Sequence, residues 1–293
     1  MLSSTCLQLA KSLYGLTVAP TRLWYKHLVF QALTEEGFKA CTNDACLLYR
    51  DTIMVVLYVD DLGIAYSNKG DVGALFDRLE AKGLIFTKEG SFTDFLGIKF
   101  TKNHVKGTLT LTQKGLIQKI KEATGMSYSN FNWTPASQVA LGIDPEGPPM
   151  HESWSYRSIV GMLLYLSTNT RPDIAFAVSQ VARFVGHNPK ESHASAVKTI
   201  VRYLHRTRDM GMVVKPTGNL SMDCCYVDTD FASLHGRDPD RSPSSAKSRT
   251  GYIITLGGCH ILWKSHLQTE ISLSTLEVEY SALSSALRTL LPL

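Results

Sequence analysis

Residues 53–66 constrain the fold more than any other stretch. Ile53-Met54-Val55-Val56-Leu57-Tyr58 is an apolar, β-branched run, and Leu62 to Tyr66 is a second one. Val59-Asp60-Asp61 stands between them. Two such runs joined so tightly read as an antiparallel hairpin with an acidic turn. Adjacent carboxylates at a hairpin tip are suited to hold divalent ions where a phosphate would bind. Two ions ~3.5–4 Å apart activate an attacking oxygen and stabilise a leaving one. Mg²⁺ fits that role, because it keeps waters and accepts one or two carboxylates beside phosphate oxygens. Asp is also a common turn residue. Taken alone, the dipeptide fits either reading.

The chain around this hairpin alternates helix and strand signals. Leu23, Leu28, Val29, Ala32 and Leu33 recur at helical spacing between Pro20 and Gly37. Val72, Leu75, Phe76 and Leu79 mark an amphipathic helix stopped by Gly83. Strand-like pieces follow at Phe95–Phe100 and Thr108–Thr112, then a helix over Leu116–Ala123. Residues 127–155 carry Pro135, Gly142, Pro145, Gly147, Pro148 and Pro149 without sustained periodicity and read as a linker. Three helical stripes come next: Ile159, Val160, Leu163 and Leu164; then Ile174, Val178, Val181 and Val185; then Val197, Ile200, Val201 and Leu204. Arg171-Pro172-Asp173 marks a helix boundary. Strands are expected at Met222–Val227, Gly251–Leu256, His260–Lys264 and Ser272–Ser274, before a helix over Thr275–Leu290.

Composition removes several classes. Apolar residues make up 44% of the 293 positions and charged ones 19%, too little charge for a disordered chain. No apolar run approaches the ~18–20 residues needed to span a bilayer. The start MLSSTCLQLAKSL lacks a basic region leading into an apolar block, so no secretory signal is read. Six cysteines without a C-x-x-C pair read as small hydrophobes in a reducing compartment, and a zinc site is not expected. The expected location is intracellular, in a cytoplasmic particle or the nucleus. The net charge of +4 permits an anionic partner without requiring one.

The order of short motifs resembles one family. Leu13-Tyr14-Gly15-Leu16, Ala19-Pro20 and Trp24-Tyr25, then Tyr58-Val59-Asp60-Asp61, resemble the reverse transcriptase of copia-type retrotransposon Pol polyproteins. Phe95-Leu96-Gly97-Ile98 is similar to its segment at the primer end. Tyr156-Arg157-Ser158-Ile159-Val160-Gly161, Thr170-Arg171-Pro172-Asp173-Ile174 and Arg202-Tyr203-Leu204 resemble its helical connection. Asp228-Thr229-Asp230, Arg249-Thr250-Gly251-Tyr252, Trp263-Lys264-Ser265 and Glu277-Val278-Glu279-Tyr280 resemble the start of its RNase H domain. The resemblance implies an α+β or α/β multidomain chain. Its parts would be a partial palm over 1–126, the 127–155 linker, a helical thumb or connection over 156–208 and a partial RNase H-like domain over 209–293. It also implies RNA-directed DNA synthesis with Mg²⁺ on Asp60 and Asp61, and hydrolysis of RNA in a hybrid with Mg²⁺ on Asp228 and Glu279. Partners would be an RNA template, a DNA primer, an RNA–DNA hybrid and other polyprotein parts, with no membrane. Leu276, Leu283 and Leu287 would pack on the sheet and aim Glu279; Asp230 and Glu277 fit a loop and a first-turn role better.

Cations offer weaker candidates. Arg202, His205, Arg206 and Arg208 crowd the end of a helix, where the macrodipole favours them in any case. They also suit a duplex backbone, as does Lys119 with Lys114 and Lys121. Trp24 and Trp263 read as core residues and His193 as a helix-start residue. The acids are unevenly placed: none precedes Glu35 and none follows Glu279. A third polymerase carboxylate and the later RNase H aspartates are therefore not found. Thr17-Val18 also replaces the usual Lys-Gln, and Thr21 looks inserted. The expectation is a truncated chain, inactive alone. The alternatives are a non-catalytic remnant that binds RNA–DNA duplex and the product of a decaying element.

Overall fold

The computed structural model describes residues 25–58, 61–88, 90, 92–126, 130–137, 139–186, 188–217, 222–239 and 241–292. They divide into two compact units between Phe95 and Leu96.

The first unit contains α1 (Tyr25–Glu35), β1 (Lys39–Ala40), β2 (Leu47–Arg50), β3 (Ile53–Tyr58), β4 (Asp61–Tyr66), α2 (Lys69–Ala81) and β5 (Asp94–Phe95). Strands β1 to β4 pair in sequence order as an antiparallel meander. The expected hairpin is β3–β4, with Tyr58 opposite Asp61. Side chains alternate along a strand, and β3 uses this fully. Ile53, Val55 and Leu57 are buried with Val29, Leu33, Leu75 and Leu79 of the two helices, while Met54, Val56 and Tyr58 remain exposed on the other face. Helix α2 starts at Asn68, whose side chain accepts the Gly70 N–H at 3.0 Å. Gly83 ends it with φ near +85°, a conformation that costs glycine little. Glu35 and Glu36 tie the ends of both helices together. Arg78 Nε donates to Glu36 at 2.6 Å, and Lys82 Nζ lies 3.0 Å from Glu35 and 3.1 Å from Glu36. The Lys82 hydrogen bond holds the Glu35 carboxyl below its ordinary value, and the Arg78 hydrogen bond does the same for Glu36. These pairs face water and add little stability.

The second unit contains β6 (Ile98–Asn103), β7 (Thr108–Thr112), α3 (Lys114–Ala123), α4 (Tyr156–Asn169), a 3₁₀ turn (Pro172–Ile174), α5 (Ala175–Ala182), α6 (Glu191–Arg206), β8 (Met212–Val214), β9 (Met222–Asp230), β10 (Arg249–Leu256), β11 (Cys259–Leu267) and α7 (Thr275–Leu290). Its helical core is built from the three predicted stripes: Ile159, Val160, Leu163, Ile174, Val178, Val181, Val197, Ile200, Val201 and Leu204 are all within 1% of full burial. Leu164 departs from its stripe and is 40% exposed. Strand β7 pairs with both β6 and β8, and β10 sits between β9 and β11, all antiparallel. The three strands of the last sheet and α7 fall where the sequence puts them.

Several expectations are corrected. Phe95–Phe100 is not one strand, because Leu96 and Gly97 take φ near +53° and +74° and turn the chain between β5 and β6. Ser272–Ser274 is not a strand. Ser274 caps α7 by accepting the Glu277 N–H at 3.2 Å, and Glu277 reaches back to accept the Leu273 N–H at 2.8 Å, which gives the first-turn acid a local partner. Leu276, Leu283 and Leu287 do not pack on the sheet, being 65%, 45% and 38% exposed. Val278, Ala282 and Ala286 face it instead, since small side chains at i, i+4 and i+8 let the helix approach closely.

Residues 127–155 hold no helix or strand among those described, yet they are anchored. Gln180 Oε1 accepts the Leu141 N–H at 2.7 Å, and Arg183 donates to the Leu141 carbonyl at 2.7 Å. Asp238, with its side chain fully buried, accepts from the Ile143 N–H, Arg183 and Ser244. These residues belong to the second compact unit.

Arg171 joins the helices. Its guanidinium, 2% exposed, donates twice to Asp173 at 2.8 and 2.6 Å, and reaches the Thr207 carbonyl and hydroxyl at 3.1 and 2.7 Å. The Tyr203 hydroxyl donates to the same carboxylate at 2.8 Å. Next to it, Thr170 donates to Gln113 at 2.8 Å. Removing one partner of a buried pair leaves the other unsatisfied. Arg171→Ala should therefore lower stability by about 3–5 kcal/mol, read as a reduced urea midpoint. Burial works to raise the Asp173 carboxyl, but the Arg171 and Tyr203 contacts outweigh it and hold the group below its ordinary value. Its contribution is thus complete above the unfolded carboxylate pKa of about 3.9 and is lost as pH falls through the lower folded value. Melting curves between pH 2 and 6 should show a shallower acid loss in Asp173→Asn than in the parent.

Candidate active site

Asp61 opens β4 and is exposed on the free face of the first sheet. Strand parity places Asp61, Gly63 and Ala65 on that face, opposite Tyr58, Val56 and Met54 of β3. Asp60 and Val59, the rest of the predicted turn, lie outside the described residues, as do the predicted motifs before Tyr25. Gly63 has a specific task. A Cβ there would come within 3.2 Å of the Phe92 ring and 3.8 Å of the Phe95 ring, so both rings rest over the strand at the glycine. Phe92 and Phe95 contact each other with ring centroids 5.3 Å apart. Phe95, predicted from the sequence, is therefore brought onto the hairpin two positions from Asp61; Phe92 and Gly63 were not foreseen.

Leu96 is half-buried and Gly97 exposed in the turn that follows. The Leu96 carbonyl accepts the Tyr165 hydroxyl at 2.7 Å, which fixes the turn on α4. Lys119 is exposed on α3. Arg202 is half-buried and Arg206 exposed on the last turns of α6.

Asp228 is exposed on β9, opposite Gly251. It borders a cavity of about 440 Å³ with Phe176, Tyr226, Asp230, Arg249 and Trp263. Helix α7 packs on the other face of this sheet, against Val227, Tyr252 and Ile254, and Tyr252 meets Thr289 through their hydroxyls at 3.0 Å. Glu279 is exposed on α7. By strand parity Asp228 stands on the face of β9 turned away from α7, the helix that carries Glu279. Asp230 accepts the Arg249 N–H at 2.9 Å, a strand-end role. Burial lowers the Arg249 guanidinium to about 10, and its Nη1 donates to Ser179 at 2.6 Å. Trp263 Nε1 donates to the Ser167 carbonyl at 2.7 Å, which ties β11 to α4. His193 is buried at the start of α6, accepting the Lys190 N–H at 2.9 Å and stacking on Phe184 at 3.7 Å. Desolvation lowers its pKa.

Among the described residues no group of three or more His, Cys, Asp or Glu side chains is placed to hold a metal ion. The described part of the hairpin supplies one carboxylate, Asp61. No described helix is long and apolar enough to cross a membrane.

The reverse transcriptase (RNA-dependent DNA polymerase) family model matches residues 2–138, a span that includes the whole acidic hairpin and Phe92 to Gly97. The Pol polyprotein from transposon TNT 1-94 of Nicotiana tabacum is 33% identical over 290 residues, covering 94% of this chain and 20% of that protein. The chain belongs to the reverse transcriptase family of copia-type retrotransposon Pol polyproteins. The Pol polyprotein from transposon RE1 of Arabidopsis thaliana is 32% identical over 282 residues, 95% of this chain and 18% of that protein. A Saccharomyces cerevisiae protein named for transposon Ty5-1 is 28% identical over 281 residues, with 93% of this chain and 86% of that one covered. The chain spans about a fifth of the length of the curated Pol polyproteins it matches. No solved structure matches.

Within this reverse transcriptase chain, the packing at Gly63 makes a direct test. Gly63→Val places a branched side chain where the two rings lie, and overpacking of this kind costs about 1–3 kcal/mol. It should lower the melting temperature and expose Phe92 and Phe95, read as faster hydrogen exchange over residues 92–95.

Proposed function

We propose that the chain carries the RNA-directed DNA polymerisation site of a retrotransposon Pol polyprotein, at the hairpin turn Val59-Asp60-Asp61. The observation that carries this reading is the match of residues 2–138 to the reverse transcriptase family, with the acidic hairpin inside it. The hairpin's form agrees: one face packs on the helices through Ile53, Val55 and Leu57, and the Asp61 side chain stands on the other with no hydrogen bond or ion pair to a described residue. Asp60 and Asp61 are the residues that would hold Mg²⁺, which when bound supplies the charge that steadies the reacting phosphate oxygens. The chain's own part is to fix Asp61 by strand pairing and to bring Phe92 and Phe95 beside it. An RNA template, a DNA primer and other polyprotein parts are the proposed partners.

Residues 209–293 are read, on motif order, as the RNase H-like portion, with 1–126 as palm and 156–208 as connection. A three-stranded antiparallel sheet with a helix on one face suits that frame. Asp228 and Glu279 are the residues that would hold Mg²⁺ there, and no cleavage step is assigned to them. Polymerisation is placed in the larger polyprotein and not in the isolated chain.

Primer extension on an RNA template tests this. A polyprotein containing the chain should extend the primer with Mg²⁺, and Asp61→Asn in it should slow extension by at least about a hundredfold, the scale of removing one electrostatic stabiliser of the transition state. Wild-type extension by that variant would overturn the site. Robust extension by the isolated chain would overturn its dependence on the rest.

A further inference from the structure

Two large aromatic side chains stand in water beside the end of α6. Trp133 is 76% exposed and Phe131 57% exposed. The Arg206 guanidinium carbon lies 3.2 Å from the Trp133 ring centroid, and the His205 ring lies 4.9 Å from the Phe131 ring, tilted by 56°. Consecutive residues of the last helical turn therefore hold the two aromatics. An exposed tryptophan stacked on arginine leaves its far face open as a flat apolar platform.

Several cations near this platform lack an ion-pair partner among the described residues. Arg202 and Arg206 make no ion pair with any described residue, and neither does Lys121, which is only 5% exposed on α3. Lys121 and Arg208 both add to desolvation in lowering His205, so their charges converge on it. The His205 Nδ1 atom is buried without a hydrogen-bond partner. The acid nearest in sequence, Asp209, is taken up by Lys114 at 2.5 Å and Arg208 at 3.6 Å. Cations left without an ion-pair partner attract a polyanion, and flat aromatic faces beside them select one whose rings are free to stack. Bases inside a duplex are already stacked and cannot reach such faces; bases of an unpaired strand can. An acidic peptide would satisfy the cations and leave the aromatic faces without a purpose.

We propose that Phe131, Trp133, Arg202 and Arg206 form a binding site for single-stranded nucleic acid, with bases stacked on the two rings and phosphates held by the two arginines. This deepens the polymerase reading and rests on it, since it names where the second unit holds an unpaired stretch of template or product. The residues are surface-exposed or half-buried, so their replacement leaves the core intact.

Fluorescence anisotropy with a labelled 20-nucleotide oligo-dT and a duplex of equal length tests the proposal on the full chain. The Phe131→Ala, Trp133→Ala double variant should bind the single strand about tenfold or more weakly and the duplex as the parent does. Trp133→Phe should retain most of the affinity, and unchanged thermal melting of all variants would confirm that each is folded. Arg202→Gln with Arg206→Gln should reduce the slope of log affinity against log salt by about 1.4, or about 0.7 for each phosphate no longer neutralised. Parent-like single-strand binding by the double aromatic variant would overturn the site, as would equal weakening for single strand and duplex. A poly-glutamate peptide displacing the oligonucleotide at lower concentration than unlabelled oligo-dT would also overturn it, in favour of an acidic protein partner. The aromatic variant is read by oligonucleotide binding and Asp61→Asn by primer extension, so the two readings can fail independently.

Discussion

One buried guanidinium organises the second unit. Arg171 sits at the break between α4 and the 3₁₀ turn, and its donors reach forward to Asp173 and across to the end of α6 at Thr207. A planar fork with fixed donor directions suits this junction, where a lysine ammonium would satisfy only some of the same acceptors. The apolar stripes of α4, α5 and α6 pack into one buried cluster beside this junction. Tyr203 completes the arrangement by lying under the guanidinium, 5.6 Å away, while donating to the same carboxylate. The hydrophobic core supplies most of the driving force for collapse; the arginine decides which end of each helix meets which.

Legibility in the sequence followed the range of the forces involved. Ile53–Tyr58 was readable because a strand's two-residue period is local, and the structure buries every second residue of it. The stripes from Ile159 to Leu204 were readable for the same reason at helical spacing. Short elements were not: β8 has three residues, and its strand character comes from pairing with β7. Phe95–Phe100 looked continuous because left-handed Leu96 has no sequence signature, although Gly97 beside it was a hint. On α7 hydrophobicity misled, since Leu276 and Leu283 outweigh Val278, Ala282 and Ala286 in apolar area but the smaller residues fit the sheet.

The candidate sites were legible in residue type and much less in geometry. Asp61 stands where the hairpin pattern put it, yet the aromatic pair resting on Gly63 depends on a segment about thirty residues later. Asp228 and Glu279 look matched along the chain, but which sheet face each occupies is decided by strand parity and helix packing. Glu35 and Glu36, the first acids in the chain, turn out to be fastened to Arg78 and Lys82. Trp133 carried no pattern of its own; its place over Arg206 exists only once α6 and the irregular 130–137 segment are folded.

The pairing of β7 with β8 also has a consequence for synthesis. Leu111 is opposite Met212, so β7 gains its second neighbour only after about a hundred further residues have been made. Between them comes the whole helical core, from α3 to α6. Until Met212–Val214 leaves the ribosome, one side of β7 offers unpaired amides and carbonyls to any strand that comes near. At roughly 5–20 residues per second this interval lasts several seconds. The chain therefore carries, at this strand, a period of vulnerability whose length is set by translation speed.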